Sequence, residues 1–262
     1  MIEETGEVVL NRPVNENTWL MGIASPHVAR SAEPGQFVML RVRSGADPLL
    51  RRPFSVCGVQ GDLFQVLYRV VGKGTEILSR EVRKGDRLPL LGPLGRGFRE
   101  PPQGGTRLLV AGGIGIAPLL FLASSLLGER FRFLAGFASA REIIPAAEIS
   151  NLPLDVEIST DDGTAGRAGL VTDLLEERLR QEGGSRLSIY TCGPKPMLKK
   201  MASIAAGRGL PCHVSLESSM ACGLGACQGC AVKSAPGEGR PYYHVCKDGP
   251  VFDSRQIDWE AL

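Results

Sequence analysis

Four cysteines near the C-terminal end, Cys222, Cys227, Cys230 and Cys246, are spaced C-x4-C-x2-C with the fourth sixteen positions further on. Thiolates are soft anionic ligands, and this is the ligand spacing of a plant-type two-iron, two-sulfur (2Fe-2S) site. Gly223, Gly225 and Gly229 lie between the first three cysteines, where a side chain would hinder close wrapping of the backbone, and Ala221, Ala226 and Ala231 keep the surroundings small and apolar. Main-chain N–H groups are then free to turn toward the sulfurs. Four thiolates also suit a structural zinc ion, and cysteine pairs suit disulfides, so three chemistries stay open, with the iron cluster the best match to the spacing.

Upstream, Arg52-Pro53-Phe54-Ser55 sets a cation, an aromatic face and a hydroxyl within four positions at an expected strand start. The set suits a flavin, with a guanidinium for pyrophosphate, a ring against the isoalloxazine and a small hydrogen-bonding group at its edge. An ordinary strand start would read the same way in isolation. Leu67-Tyr68-Arg69 ends another strand, and Gly72-Lys73-Gly74-Thr75 opens a helical stretch whose free N–H groups suit a phosphate.

Gly112-Gly113-Ile114-Gly115 falls between a buried strand and a helix, where the backbone can approach a dinucleotide pyrophosphate, although it departs from the full G-x-G-x-x-G pattern. A glycine turn needed only for strand-to-helix packing is the competing reading. Two more strand ends, Thr160-Asp161-Asp162-Gly163 and Thr191-Cys192-Gly193-Pro194, are expected at the same sheet edge, where ligands of such folds gather. Asp161 and Asp162 are candidates to hold ribose hydroxyls and to disfavour a 2′-phosphate, which argues for NAD over NADP. Cys192 is expected to position rather than attack, since only Lys195 stands near it in sequence and no nucleophilic partners are in sight. Cys57 and Cys212 read as buried apolar residues, and His27, His213 and His244 lack metal-ligand spacing.

The elements that must position these residues follow from periodicity. Short alternating runs at Glu7–Leu10, Thr18–Ile23, Gln36–Val42, Ser55–Val59, Leu63–Val71 and Arg87–Leu91 predict a small antiparallel β-barrel over residues 1–102. After the Pro101-Pro102-Gln103-Gly104-Gly105 linker, buried strands at Arg107–Ala111, Phe131–Gly136, Val156–Thr160 and Leu187–Thr191 alternate with helical patterns. These predict a parallel α/β sheet over 103–210. One helix carries Val171, Leu174, Leu175 and Leu179 on a face and stops before Gly183-Gly184, and a second has Met197, Met201, Ile204 and Ala205 as its apolar stripe. Residues 211–262 hold too few apolar side chains for a core of their own, so a bound metal group is expected to staple them, with Tyr242–Cys246 as a bracing strand. The fold class is thus multidomain: antiparallel barrel, parallel-sheet α/β domain, small cysteine-rich domain.

Of 262 residues, 43% are hydrophobic and 22% charged, with a net charge of +2, which is ordinary for a globular protein and gives no basic field for nucleic acid. The uncharged run Leu108–Leu127 is long enough to cross a bilayer. Its three glycines and Pro118 favour a strand, a turn and a helix instead, so no membrane role is expected. Seven cysteines with a thiolate site, behind an acidic N-terminus without a signal-like apolar stretch, point to the cytoplasm.

Taken together, Arg52-Pro53-Phe54-Ser55, Gly112-Gly113-Ile114-Gly115, Thr191-Cys192-Gly193-Pro194 and the cysteine loop resemble the ferredoxin-reductase superfamily with a fused two-iron cluster, over essentially the whole chain. Within it, the stretch Glu217–Cys227 and the ending Val245-Cys246-Lys247-Asp248-Gly249-Pro250-Val251-Phe252 are similar to the electron-transfer subunits of dihydroorotate dehydrogenase B. The resemblance implies an FAD-binding barrel, an NAD-binding domain and a 2Fe-2S domain, docked on an FMN-containing catalytic subunit in a heterotetramer of two and two. It also implies that Arg52, Pro53, Phe54, Ser55, Leu67, Tyr68, Arg69, Gly74 and Thr75 hold FAD and that all four loop cysteines hold the cluster. Electrons would run from the partner's FMN through the cluster and FAD to NAD as co-substrate, with no catalytic acid or base in this chain. Two rivals share the layout or part of it: the flavin subunit of a sulfhydrogenase or glutamate-synthase-type complex, and a non-catalytic redox sensor.

Overall fold

The computed structural model describes residues 2–99, 105–182 and 186–262. The Pro101–Gly104 part of the expected linker, the boundary at 102 and the Gly183-Gly184 helix stop lie outside the described residues.

Six antiparallel strands, β1 (Ile2–Pro13), β2 (Thr18–Ala24), β3 (Phe37–Leu40), β4 (Arg52–Gln60), β5 (Leu63–Arg69) and β6 (Arg87–Leu94), close a barrel in the order β1-β2-β5-β4-β3-β6. Its interior is filled by alternating side chains such as Val8, Met21, Ile23, Val38, Phe64, Val66 and Leu90, all buried. β1 is longer than the alternation suggests, because its far half pairs with β6 while its near half pairs with β2. Two helices, α1 (Pro26–Ser31) and α2 (Lys73–Arg80), cap the barrel, and α1 starts on Ser25, whose hydroxyl accepts from Val28 N at 3.4 Å.

The register explains where the barrel opens. β4 pairs with β5 only from Val56 to Gln60, so Arg52–Ser55 pair with β3 alone. Leu67, Tyr68 and Arg69 likewise pair only with β2. Those two stretches are the ones singled out as flavin-binding, and they face each other across the splayed seam. Pro53, which has no N–H to give, sits where one edge of the strand is unpaired.

The second unit is a seven-stranded sheet ordered β10-β9-β8-β7-β11-β12-β15, built from β7 (Thr106–Gly112), β8 (Phe131–Phe137), β9 (Val156–Thr160), β10 (Arg167–Ala168), β11 (Leu187–Cys192), β12 (Cys212–Ser215) and β15 (Val251–Asp253). All pairings are parallel except β12 with β15. Helix α3 (Ile116–Ser125) packs on one face with Leu109, Phe133 and Tyr190. α5 (Val171–Gln181) and α6 (Lys195–Arg208) cover the other through Leu174, Leu175, Leu198 and Met201, and α4 (Ala146–Ser150) flanks α3. The uncharged run resolves into β7 and α3, and among the described residues no helix is long and apolar enough to cross a membrane.

The sheet runs past residue 210. β12 continues it and β15 returns to its edge, so the cysteine-rich segment is bracketed by two strands of the sheet. Within the segment, β13 (Ala231–Lys233) pairs with β14 (Tyr242–His244), and Val232, Tyr243, Val245 and Phe252 join the core on one face of the sheet.

Candidate functional site

Two cavities meet where the barrel, the sheet and the cysteine segment come together. The first, of about 590 Å³, is lined by Arg52, Pro53, Phe54 and Ser55 from β4, Leu67, Tyr68 and Arg69 from β5, and Thr75 from α2. Gly112, Gly113 and Gly115 line it after β7, Gly193 and Pro194 after β11, and Glu217, Ser218 and Met220 ahead of the first loop cysteine. The tip of the splayed seam is therefore one wall, and the sheet edge is the other.

The wall chemistry is specific. Phe54 and Tyr68 meet edge to face with centroids 5.9 Å apart, and Trp19 stacks behind Tyr68 at 6.4 Å. The Tyr68 hydroxyl donates to Asn11 Oδ1 at 2.9 Å, so this phenol is fixed by the barrel and presents its ring; burial pushes its pKa up. Thr75 is also committed: its hydroxyl accepts from Val71 N at 2.9 Å and donates to the Gly72 carbonyl at 2.9 Å, which shapes the entry to α2. Gly74 has a packing reason, since a Cβ there would stand 2.5 Å from Arg52 Nε. The Arg52 guanidinium lies beside Gly74 in the first turn of α2 and donates through Nη1 to the Leu50 carbonyl.

The second cavity, of about 380 Å³, lies along the carboxyl edge of the sheet. Its lining includes Gly112 and Gly113 after β7, Gly136, Phe137 and Ala138 at the end of β8, Asp161 after β9, the first residues of α5, and Pro194, Met197 and Lys200 around α6. Arg69, Gly112, Gly113 and Pro194 line both cavities, so the two spaces adjoin through one shared wall.

Within that wall the glycines divide. A Cβ at Gly112 would stand 2.6 Å from Met197 Sδ, one at Gly193 would stand 3.0 Å from Gly112 Cα, and one at Gly115 would collide with the Cys192 carbonyl. These three pack the strand-end loops onto each other. Gly113 instead has φ of +54° and meets nothing closer than Arg69 Nη2 at 3.4 Å, so it is the glycine that offers bare backbone to the cavities. Packing therefore accounts for Gly112 and Gly115, while Gly113 has no such contact.

The acidic pair separates. Asp161 faces the second cavity, whereas Asp162 is turned to its own loop, accepting from Thr164 N at 3.0 Å and Thr164 Oγ1 at 2.6 Å, which holds its carboxyl below the usual range. Cys192 is buried beneath the wall rather than lining either cavity. Its thiol is pushed up, first by burial and then by Glu217, while a hydrogen bond with Ser215 opposes this. Glu217, which the sequence reading passed over, projects into the first cavity; the protein packed around it raises its pKa and Arg69 lowers it. Lys200, Met220 and Glu142 were also missed, and only contacts distant in sequence reveal them.

The four loop cysteines form two pairs of sulfurs. Cys222 and Cys227 are in hydrogen-bond contact at the surface, and the buried Cys230 and Cys246 have sulfurs 3.2 Å apart. That separation exceeds the roughly 2.05 Å of a disulfide, and all seven cysteines are free. Leu224 N and Cys227 N donate to Cys222 Sγ at 3.3 and 3.4 Å, and Gly225 N donates to Cys246 Sγ at 3.1 Å. Gly225, at φ of +79°, makes the last of these possible, because a β-carbon would stand 2.8 Å from Lys247 Cδ. Slight burial opposes ionisation of Cys222, but the backbone donors outweigh it and bring the thiol down to about 6; burial, then the neighbouring Cys230, pushes Cys246 up to about 12. Main-chain donors aimed at soft sulfurs, two pairs deep, are the donor set a thiolate-ligated cluster needs.

Residues 217–258 match the family model of the iron-sulfur cluster binding domain of dihydroorotate dehydrogenase B. The chain is 43% identical over 257 residues to the dihydroorotate dehydrogenase B (NAD(+)) electron transfer subunit of Geobacillus thermodenitrificans, covering 95% of this chain and 96% of that one. It belongs to the dihydroorotate dehydrogenase B electron transfer subunits. The Desulforamulus reducens member of this family is 41% identical, with 94% of this chain and 95% of that one covered. Among solved structures, the NADH-dependent reduced ferredoxin-NADP oxidoreductase studied for flavin-based electron bifurcation superposes with a TM-score of 0.85 at 31% identity, over 97% of this chain and 90% of that one. The electron transfer subunit thus has a flavin-reductase fold and a cluster-binding segment, and as a subunit it serves a catalytic partner.

Proposed function

We propose that this electron transfer subunit holds FAD in the first cavity, a 2Fe-2S cluster on Cys222, Cys227, Cys230 and Cys246, and NAD as co-substrate in the second cavity. The partner is an FMN-containing dihydroorotate-oxidising subunit, in a cytoplasmic heterotetramer of two copies each. When bound, the flavin supplies two-electron storage between a one-electron cluster and a hydride acceptor, so that electrons from the partner reach NAD.

The observation that carries the reading is the shared wall of Arg69, Gly112, Gly113 and Pro194, since two adjoining spaces suit a flavin beside a nicotinamide. The chain's own residues do binding and exclusion. Arg52 and the start of α2 supply positive charge for a pyrophosphate, while Phe54, Leu67 and Tyr68 give an apolar wall that keeps water off the ring. The backbone at Gly113 lets a dinucleotide approach without a side chain between the two cavities. Ser218 and Met220 bring the segment before Cys222 to the edge of the flavin cavity, which supports a short cluster-to-flavin distance. Asp161, alone of the acidic pair, lines the second cavity, which supports a role in accepting from ribose hydroxyls, and NAD preference rests on it.

Co-purification tests this reading. The subunit expressed with its genomic neighbours is expected to bring down an FMN protein and to reduce NAD with dihydroorotate. Isolation with a hydrogenase or a glutamate-forming enzyme would redirect the assignment.

A further inference from the structure

At the wall between the two cavities Arg69 is paired with Glu142, a carboxylate that neither cofactor reading assigns. Arg69 Nη2 lies 2.9 Å from Glu142 Oε2, with the side chains 36% and 39% exposed. Arg69 ends β5 in the barrel, while Glu142 closes the turn Ala140–Glu142 after β8 in the sheet unit. The same turn is tied to the barrel a second time, by Asn15 Nδ2 donating to the Glu142 carbonyl at 3.1 Å. The charged side chains lining the second cavity are two cations, Arg69 and Lys200, and two carboxylates, Glu142 and Asp161. Lys200 pairs with Glu176 at 3.6 Å, outside the lining, so Arg69 is the cation at the shared wall, beside the bare backbone of Gly113.

We propose that Glu142 sets dinucleotide affinity by competing with the dinucleotide phosphate for the Arg69 guanidinium. The inference rests on the reading of the second cavity as the dinucleotide site. Two features support exchange rather than a fixed tie. An ion pair this exposed is worth little on its own and is readily given up for a dinucleotide pyrophosphate, which carries one negative charge on each phosphate. The Asn15 bond holds the backbone of the turn, so the Glu142 side chain can swing away while the barrel and the sheet stay joined. A carboxylate in this place weakens binding of an anionic co-substrate and so speeds its departure.

The test uses the FAD- and cluster-loaded protein and three measurements: NADH oxidation with an artificial acceptor, NAD titration followed by flavin absorbance, and both repeated at raised salt. Glu142→Gln is expected to lower KM for NADH and Kd for NAD by about two- to fivefold, the scale of an exposed ion pair, with the gain shrinking at high salt. Asn15→Ser, which removes the neutral tie while its hydroxyl can still serve the turn, is expected to leave both values in place. Unchanged or weaker binding in Glu142→Gln overturns the proposal, and so does an equal gain in Asn15→Ser, which would mean mechanical opening. Failure of the wild-type holoprotein to oxidise NADH at all would instead strike the assignment of the cavity.

Discussion

The main chain of Gly115 lies against the carbonyl of Cys192, so closely that a methyl group on Gly115 would collide with it. The neighbour is backbone and cannot swing aside, and the φ of Gly115 is an ordinary −61°, so the requirement is space and not conformation. Gly115→Ala is expected to push apart the loops after β7 and β11, with a cost of about 1–3 kcal/mol and a raised KM for NADH. Thermal unfolding and steady-state NADH oxidation check this, and an unchanged melting temperature with an unchanged KM would contradict it.

Cys227 is exposed and pairs with Cys222, whereas Cys230 and Cys246 are buried. Cys227→Ser should therefore perturb the cluster edge and leave the flavin cavity intact. Reduction of a dye by NADH is expected to survive, while orotate-linked turnover with the partner subunit is lost. Retained orotate turnover would remove the cluster from the path.

The barrel was legible because its strands alternate, and the stretch that lines its open seam stood out because Arg52, Phe54 and Ser55 fall together. The sheet strands were legible as buried runs bounded by glycine, such as the one ending in Gly112. What the sequence hides is pairing across distance. Nothing local couples Arg69 to Glu142, 73 positions away. Asp162, by contrast, is spent on Thr164 only two positions on, a local Asx-type bond that the sequence analysis did not weigh. β12 and β15 are 4 and 3 residues long, too short for a periodic signal, and their place in the sheet is fixed by contacts with β11 and each other. Cys192 is expected from the sequence to position a ligand at a strand end, and its burial is not legible there because position along a strand does not reveal depth beneath a loop.

The seven thiols should divide by reactivity once the cluster is removed. Burial pushes Cys57 and Cys212 up to about 12 and raises Cys192 too, whereas Cys222 sits at about 6. Alkylation of chelator-treated protein near neutral pH, read by peptide mass mapping, is expected to mark Cys222 first and to spare Cys57, Cys192 and Cys212. Early labelling of any of those three in folded protein would contradict the burial described here.

Asp253 on β15 accepts from Arg255 Nε at 2.9 Å and from Arg255 N at 3.0 Å, and these bonds hold its carboxyl below the usual carboxylate range. A carboxyl with a lowered folded pKa contributes stability above its unfolded pKa and loses it as pH falls through the folded one. Arg255 is 78% exposed, so screening limits the contribution to about 1 kcal/mol or less. Asp253→Asn should unfold at lower temperature than wild type at neutral pH, and the difference should fade below about pH 4. A gap that persists or widens in acid would assign the stability to another group.

The central claim is that one polypeptide presents a cluster, a flavin and a nicotinamide site in adjoining order. Anaerobic purification, cofactor analysis and titration with NADH test it most directly. The account predicts a brown protein with about two irons per chain and one FAD, whose flavin and cluster absorbances both bleach on adding NADH. A colourless protein, a zinc-only protein, or a flavin that NADH leaves oxidised would contradict it.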